Sequence, residues 1–168
     1  MPKTSPSDIL SEEHREKREE IVELLKQAYW MEMETVISYV TNSVNPDGLR
    51  AREMAEAIEE DIQEELGHAQ LFANRIKDLY GVVPGSMDFK PSQKALQPPA
   101  QQTDTVHVIK GVIDAETGAI EHYNKIIETT DGVDWGTQDM VIAILRDEQG
   151  HRRLFEGFLR EYEAEGKK

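Results

Sequence analysis

Two short elements of this sequence have the residue types and spacing to do chemistry: Glu65-Leu66-Gly67-His68 and Glu148-Gln149-Gly150-His151. A glutamate and a histidine three positions apart project from one face of a helix. Glu32 stands 33 residues before Glu65, and Glu116 stands 32 residues before Glu148. Each of these upstream glutamates is followed seven residues later by a tyrosine, Tyr39 and Tyr123. One pattern is therefore written twice: Glu, Tyr two turns on, then Glu-x-x-His in the next segment. The glutamates and histidines fall inside apolar stripes, as in Ile21, Leu25, Ala28, Glu32, Val36, Tyr39 and in Val141, Ile144, Glu148, His151, Phe155, Leu159. Four carboxylates turned into one core repel one another and lose their hydration, so protons or metal ions must neutralise them. Two divalent cations cancel four carboxylates. Oxygen donors with two imidazoles and no thiolate suit iron or manganese.

Helices must position these groups. The prolines, Pro2, Pro6, Pro46, Pro84, Pro91, Pro98 and Pro99, leave four long windows free. The first runs from a capping Ser11 to the turn Asn45-Pro46-Asp47-Gly48, and the second from Ala51 to Tyr80-Gly81. The third runs from Thr105 to Thr129-Thr130-Asp131-Gly132, and the fourth from Thr137 almost to Gly166. Each shows helical periodicity, so the expected fold is all-α with no sheet: two antiparallel helical hairpins in one four-helix bundle. Residues 81–104 are proline-rich and polar, and ~24 residues at ~3.3 Å each span the whole bundle. They form a long crossover that leaves helices 2 and 3 parallel. Residues 1–10 are expected to be a flexible N-terminus and residues 11–166 a single domain.

Composition narrows the function classes. A formal charge of −14 repels phosphate backbones and anionic lipids, so neither nucleic acid nor membrane is an expected partner. With no cysteine, disulfides, thiolate metal sites and a built-in rubredoxin-type relay are excluded. The start Met1-Pro2-Lys3-Thr4-Ser5-Pro6 lacks the apolar segment of a secretory signal, and a cytoplasmic location is expected. His14, His107 and His122 lack the repeat geometry and read as surface histidines, and the run Glu12 to Glu23 with Arg15, Lys17 and Arg18 reads as a solvated helix face.

On the six repeated residues, and most densely at Ile144-Leu145-Arg146-Asp147-Glu148-Gln149-Gly150-His151, the chain resembles the ferritin-like superfamily over roughly residues 20 to 160. The resemblance is greatest to bacterioferritins and non-haem ferritins, with rubrerythrin di-iron domains next. It implies two iron ions, with manganese as the alternative, Glu65 and Glu148 as bridging ligands, Glu32 and Glu116 as terminal ligands, and His68 and His151 binding one ion each. Glu34 rivals Glu32, which is preferred for its tyrosine at +7 and its matching spacing. Leu66 stands where bacterioferritins carry the haem-ligating methionine, so haem is not expected. Tyr39, Tyr123 and Asp147 are candidate supports for the ligands, as is Glu64 one residue before Glu65, while Gly67 and Gly150 are expected at close helix approaches. The implied activity is that of a ferroxidase, oxidising Fe(II) with dioxygen or peroxide for iron storage or detoxification, in a homo-oligomer. The alternatives are a rubrerythrin-like peroxidase or di-iron oxidase with an external electron donor, and a non-catalytic helical scaffold. A DNA-protecting dodecamer of the same superfamily is not expected, given the charge and those proteins' metal sites between subunits.

Overall fold

The structure, a computed structural model, describes residues 8–165. After a 3-10 turn at Glu12–His14 come α1 (Arg15–Val44), α2 (Ala51–Asp78), α3 (Thr105–Thr130) and α4 (Trp135–Glu165), with a second 3-10 turn at Ser86–Asp88. No strand occurs among the described residues. None of the described helices is long and apolar enough to cross a membrane.

Local chemistry sets the boundaries. Asp104 caps α3 by accepting from the His107 N–H at 3.0 Å, and Asp134 caps α4 by accepting from the Thr137 N–H at 3.0 Å, so α4 starts two residues before the expected Thr137. Ser11 does not cap α1: its hydroxyl lies 3.1 Å from the His14 ring, and a 3-10 turn intervenes. Most of the N-terminal stretch expected to be flexible, residues 1–7, lies outside the described residues. The part that is described is anchored. Ile9 packs in the core, and Arg18 donates to the Ile9 and Ser11 carbonyls at 2.9 Å each. Arg18 is therefore buried and does not belong to the solvated face expected of its neighbours.

The order of core residues fixes the topology. One apolar cluster holds Ile21 and Leu25 of α1, Phe72 and Ile76 of α2, Ile126 of α3 and Val141 of α4. A second holds Tyr39 of α1, Met54 and Ile58 of α2, Val108 and Val112 of α3 and Phe155 of α4. Chain direction from the first to the second cluster is shared by α1 and α4 and reversed in α2 and α3. Helices 2 and 3 are thus parallel, as a spanning crossover requires. The hairpin partners α1 and α2, and α3 and α4, pack most extensively, while the α2 and α4 backbones stand farther apart and meet through long side chains.

The crossover is a packed strap. Glu34 on α1 accepts from the Ser92 and Gln93 N–H groups at 2.7 and 2.8 Å and from the Ser92 hydroxyl at 3.0 Å. Leu96 fills the second core cluster, and its carbonyl accepts from Asn42 at 3.1 Å. At Gly111 on α3 an added Cβ would lie 2.6 Å from the Ala95 carbonyl oxygen, whereas at Gly118 on the same helix nothing lies within 4 Å. Gly111→Ala is expected to push the strap away and destabilise the protein by about 1–3 kcal/mol. Gly118→Ala, which gains helix propensity without a clash, is expected to stabilise it by up to about 1 kcal/mol. Thermal unfolding of the two variants checks the opposite signs.

Candidate metal centre

The site is the polar layer between the two apolar clusters. Glu32 enters from α1, Glu65 and His68 from α2, Glu116 from α3, and Glu148 and His151 from α4. All six are buried, none more than 8% exposed. Their ligand atoms form two overlapping groups, Glu32, Glu65, His68, Glu148 and Glu65, Glu116, Glu148, His151, each with its atoms within 4.8 Å of one another. Glu65 and Glu148 belong to both groups. His68 Nδ1 lies 3.0 Å from Glu148, 3.9 Å from Glu65 and 4.0 Å from Glu32. His151 Nδ1 lies 3.2 Å from Glu65, 3.5 Å from Glu148 and 3.9 Å from Glu116.

The rival carboxylate on α1 points elsewhere: Glu34 spends its oxygens on the crossover. The two tyrosines act crosswise between α1 and α3. Tyr39 donates its hydroxyl to Glu116, and Tyr123 donates to Glu32. The outer nitrogens are also held crosswise: His68 Nε2 lies 3.4 Å from Asp147, and His151 Nε2 lies 3.1 Å from Glu64 and 3.7 Å from Asp61. A histidine held by a carboxylate at one nitrogen presents the other as a ligand in a fixed orientation. Asp61 is the residue that sequence reasoning missed. It precedes Glu65 by one helical turn on the same stripe, but has no acidic counterpart before Glu148. Gly67 and Gly150, expected at close approaches, are exposed with nothing within 4 Å of an added Cβ.

The electrostatics follow from burial. Desolvation pushes the Glu32 and Glu116 carboxyls well above their ordinary range, and the charges of Glu65 and Glu148 push them further. Burial opposes the charge on Glu148, but contacts with His151 and His68 outweigh it and hold this carboxyl below its ordinary range. The same contacts overcome burial at His68 and His151 and raise both imidazoles. Burial raises the Tyr39 and Tyr123 hydroxyls well above the ordinary phenol, which keeps both as donors. Asp61 is pushed up to about 6, mainly by burial. Without metal, these directions favour protons on Glu32, Glu116, His68 and His151.

Protons do not satisfy the layer geometrically. Glu65 Oε1, Glu148 Oε1, His68 Nδ1 and His151 Nδ1 are fully buried and lack an aligned hydrogen-bond partner among the described residues. Buried polar atoms are seldom left so. Four such atoms turned toward one another, all of carboxylate or imidazole type, fit a pair of divalent cations.

The model of the ferritin-like domain matches residues 22–164. The chain belongs to the ferritin-like family. A curated relative, the DNA protection during starvation protein of Pyrococcus furiosus, is 29% identical over 145 residues, covering 84% of this chain and 77% of that protein. Among solved structures, the bacterioferritin of Desulfovibrio desulfuricans is 22% identical with a TM-score of 0.76, covering 89% of this ferritin-like chain and 84% of its own. The bacterioferritin-related protein of Bacteroides fragilis, described as a dodecameric thioferritin, is 24% identical with a TM-score of 0.77, covering 89% of this chain and 90% of its own. At these identities the two structures establish the shared ferritin-like fold.

Proposed function

We propose that this ferritin-like chain is a ferroxidase that binds two ferrous ions between its helices and oxidises them with dioxygen or peroxide for iron storage or detoxification. The observation that carries the reading is the set of four orphaned, fully buried ligand atoms in the two groups that share Glu65 and Glu148. In this reading Glu65 and Glu148 serve both ions, Glu32 and His68 complete one position, and Glu116 and His151 complete the other. Iron is the substrate: each ion gives up one electron, and a peroxide molecule that takes two electrons and two protons leaves as two waters. The protein's part is to hold the pair close in a dry layer, to orient the imidazoles through Asp147, Glu64 and Asp61, and to orient the terminal carboxylates through Tyr39 and Tyr123.

Ion binding displaces protons from the metal-free layer. Filling the two positions is expected to release protons from Glu32, Glu116, His68 and His151, whose shifts all favour the protonated form. Apparent affinity therefore rises with pH, because proton competition weakens as pH increases. Proton release in weakly buffered calorimetry, compared across pH 6 to 8, checks the sign.

The chain assembles, in this reading, into a homo-oligomer, as the relative described as dodecameric does. The P. furiosus relative carries DNA protection in its name. At a formal charge of −14, this chain's charge opposes coating of the phosphate backbone, so its proposed role is iron oxidation without direct contact with DNA. The deciding experiment adds ferrous iron in large excess under air and counts the irons retained in solution per chain. Rapid oxidation with many irons per chain supports a storage ferroxidase. Two irons and no further uptake favour the peroxidase or oxidase alternative, and no binding returns the chain to a helical scaffold.

A further inference from the structure

The carboxylates, imidazoles and tyrosines of the metal layer recur in both halves of the bundle, and one acid beside them does not. Glu65 pairs with Glu148, His68 with His151, Glu32 with Glu116, Tyr39 with Tyr123 and Glu64 with Asp147. One turn before the shared glutamates the match fails: Asp61 on α2 corresponds to Ile144 on α4. Ile144 is 1% exposed and sits in the first apolar cluster. The Asp61 side chain is 15% exposed, with Oδ1 3.7 Å from His151 Nε2 and Oδ2 fully buried without a hydrogen-bond partner among the described residues.

We infer that the two metal positions are inequivalent, and that the position at His151 holds a divalent cation more tightly because Asp61 joins Glu64 in gripping that imidazole from outside. The inference rests on the proposed metal reading of the six core residues. His151 has two carboxylates at its outer nitrogen, at 3.1 and 3.7 Å. His68 has one within 4.0 Å, Asp147, at 3.4 Å and 46% exposed, with exposed Glu64 farther out, within 4.8 Å. A carboxylate in reach of the outer N–H fixes the ring and strengthens the inward lone pair as a ligand. The charge of Asp61, mostly removed from water, is screened less than that of exposed Asp147. Glu64 lies near both imidazoles, whereas Asp61 groups with His151 alone and has no acidic counterpart one turn before Glu148, so Asp61 makes the difference. It acts as a positioning residue through His151, and it orders loading: the His151 position fills first and the His68 position second.

The test isolates each position in the full-length protein. His68→Ala leaves the His151 position intact, and His151→Ala leaves the His68 position. Each is titrated with Co(II) without oxidant, followed by visible absorption, with helicity checked by circular dichroism. The His68→Ala protein is expected to bind Co(II) at least ~10-fold more tightly than the His151→Ala protein. Adding Asp61→Asn to His68→Ala should weaken binding by about 10- to 100-fold. The same change added to His151→Ala should leave its affinity unaltered. Asp61→Ile, which copies the other half of the repeat, should give the same result and stands in if Asp61→Asn loses helicity. Equal affinities for the two single variants, or an Asp61 change that weakens both alike, overturns the inference while leaving the metal reading intact. If neither single variant takes up Co(II), the metal reading fails and the inference with it.

Discussion

Replacing Glu32 and Glu116 together by glutamine is expected to abolish rapid Fe(II) oxidation while leaving the metal-free protein at least as stable as the wild type at neutral pH. Both carboxyls are buried and pushed well above their ordinary range. They therefore enter the metal-free fold as neutral, proton-bearing groups. Glutamine has the same shape and is neutral at no protonation cost, so the fold should accept it. An ion in either position, however, loses its terminal anionic ligand, and oxidation should slow by at least about 100-fold. The sign of the pH effect follows from proton counts. Above the ordinary glutamate pKa the native state holds protons on these two groups that the unfolded chain has lost, so metal-free stability falls as pH rises toward their folded values. Each group contributes a slope of about 1.4 kcal/mol per pH unit in that window, and the double variant should lose both contributions. Denaturant melts of both proteins from pH 5 to 8, beside stopped-flow oxidation, separate the two effects.

The second large effect lies away from the metal layer. Asp134 is 3% exposed, caps α4 at the Thr137 N–H and accepts from Arg75 Nη2 of α2 at 2.7 Å. Arg75 also donates to the Thr137 hydroxyl at 2.7 Å. This cluster joins the end of α2 to the start of α4, two helices that also meet through His68, Glu148, Glu65 and His151 in the metal layer. Asp134→Ala removes the cap and leaves a largely buried guanidinium without its carboxylate, and should cost about 3–5 kcal/mol. Chemical unfolding reads the loss. Iron oxidation in the protein that remains folded should be unchanged, because the cluster lies one apolar layer away from the six ligand residues.

The features legible in the sequence were those written twice. The Glu, Tyr, Glu-x-x-His repeat located the residues that meet in the core, because helical periodicity converts spacing directly into a shared face. The proline-free windows gave the four helices, and the length of the 81–104 segment gave the parallel arrangement of α2 and α3. Features written once were hidden. Asp61 has no partner across the repeat and looks like one more acid on a charged helix. In the sequence only the tyrosine at +7 and the repeat spacing favour Glu32 over Glu34, and the path of residues 92 and 93 shows what the Glu34 oxygens bind instead. Arg18 lies in a run of exposed charges and is buried only because Ile9 and Ser11 fold back over it. Gly67 and Gly150 share a repeat position with no close neighbour, and nothing in the structure explains why both are glycine.

In the proposed ferroxidase, six side chains from four helices build a pair of metal positions sharing Glu65 and Glu148. The most direct test of this arrangement is an anaerobic Fe(II) titration by equilibrium dialysis of the wild type and of the Glu65→Ala, Glu148→Ala double variant. Two ions per wild-type chain, with both lost in the variant, is the expected result. Two ions retained in a folded double variant, or none bound by the wild type, would contradict it.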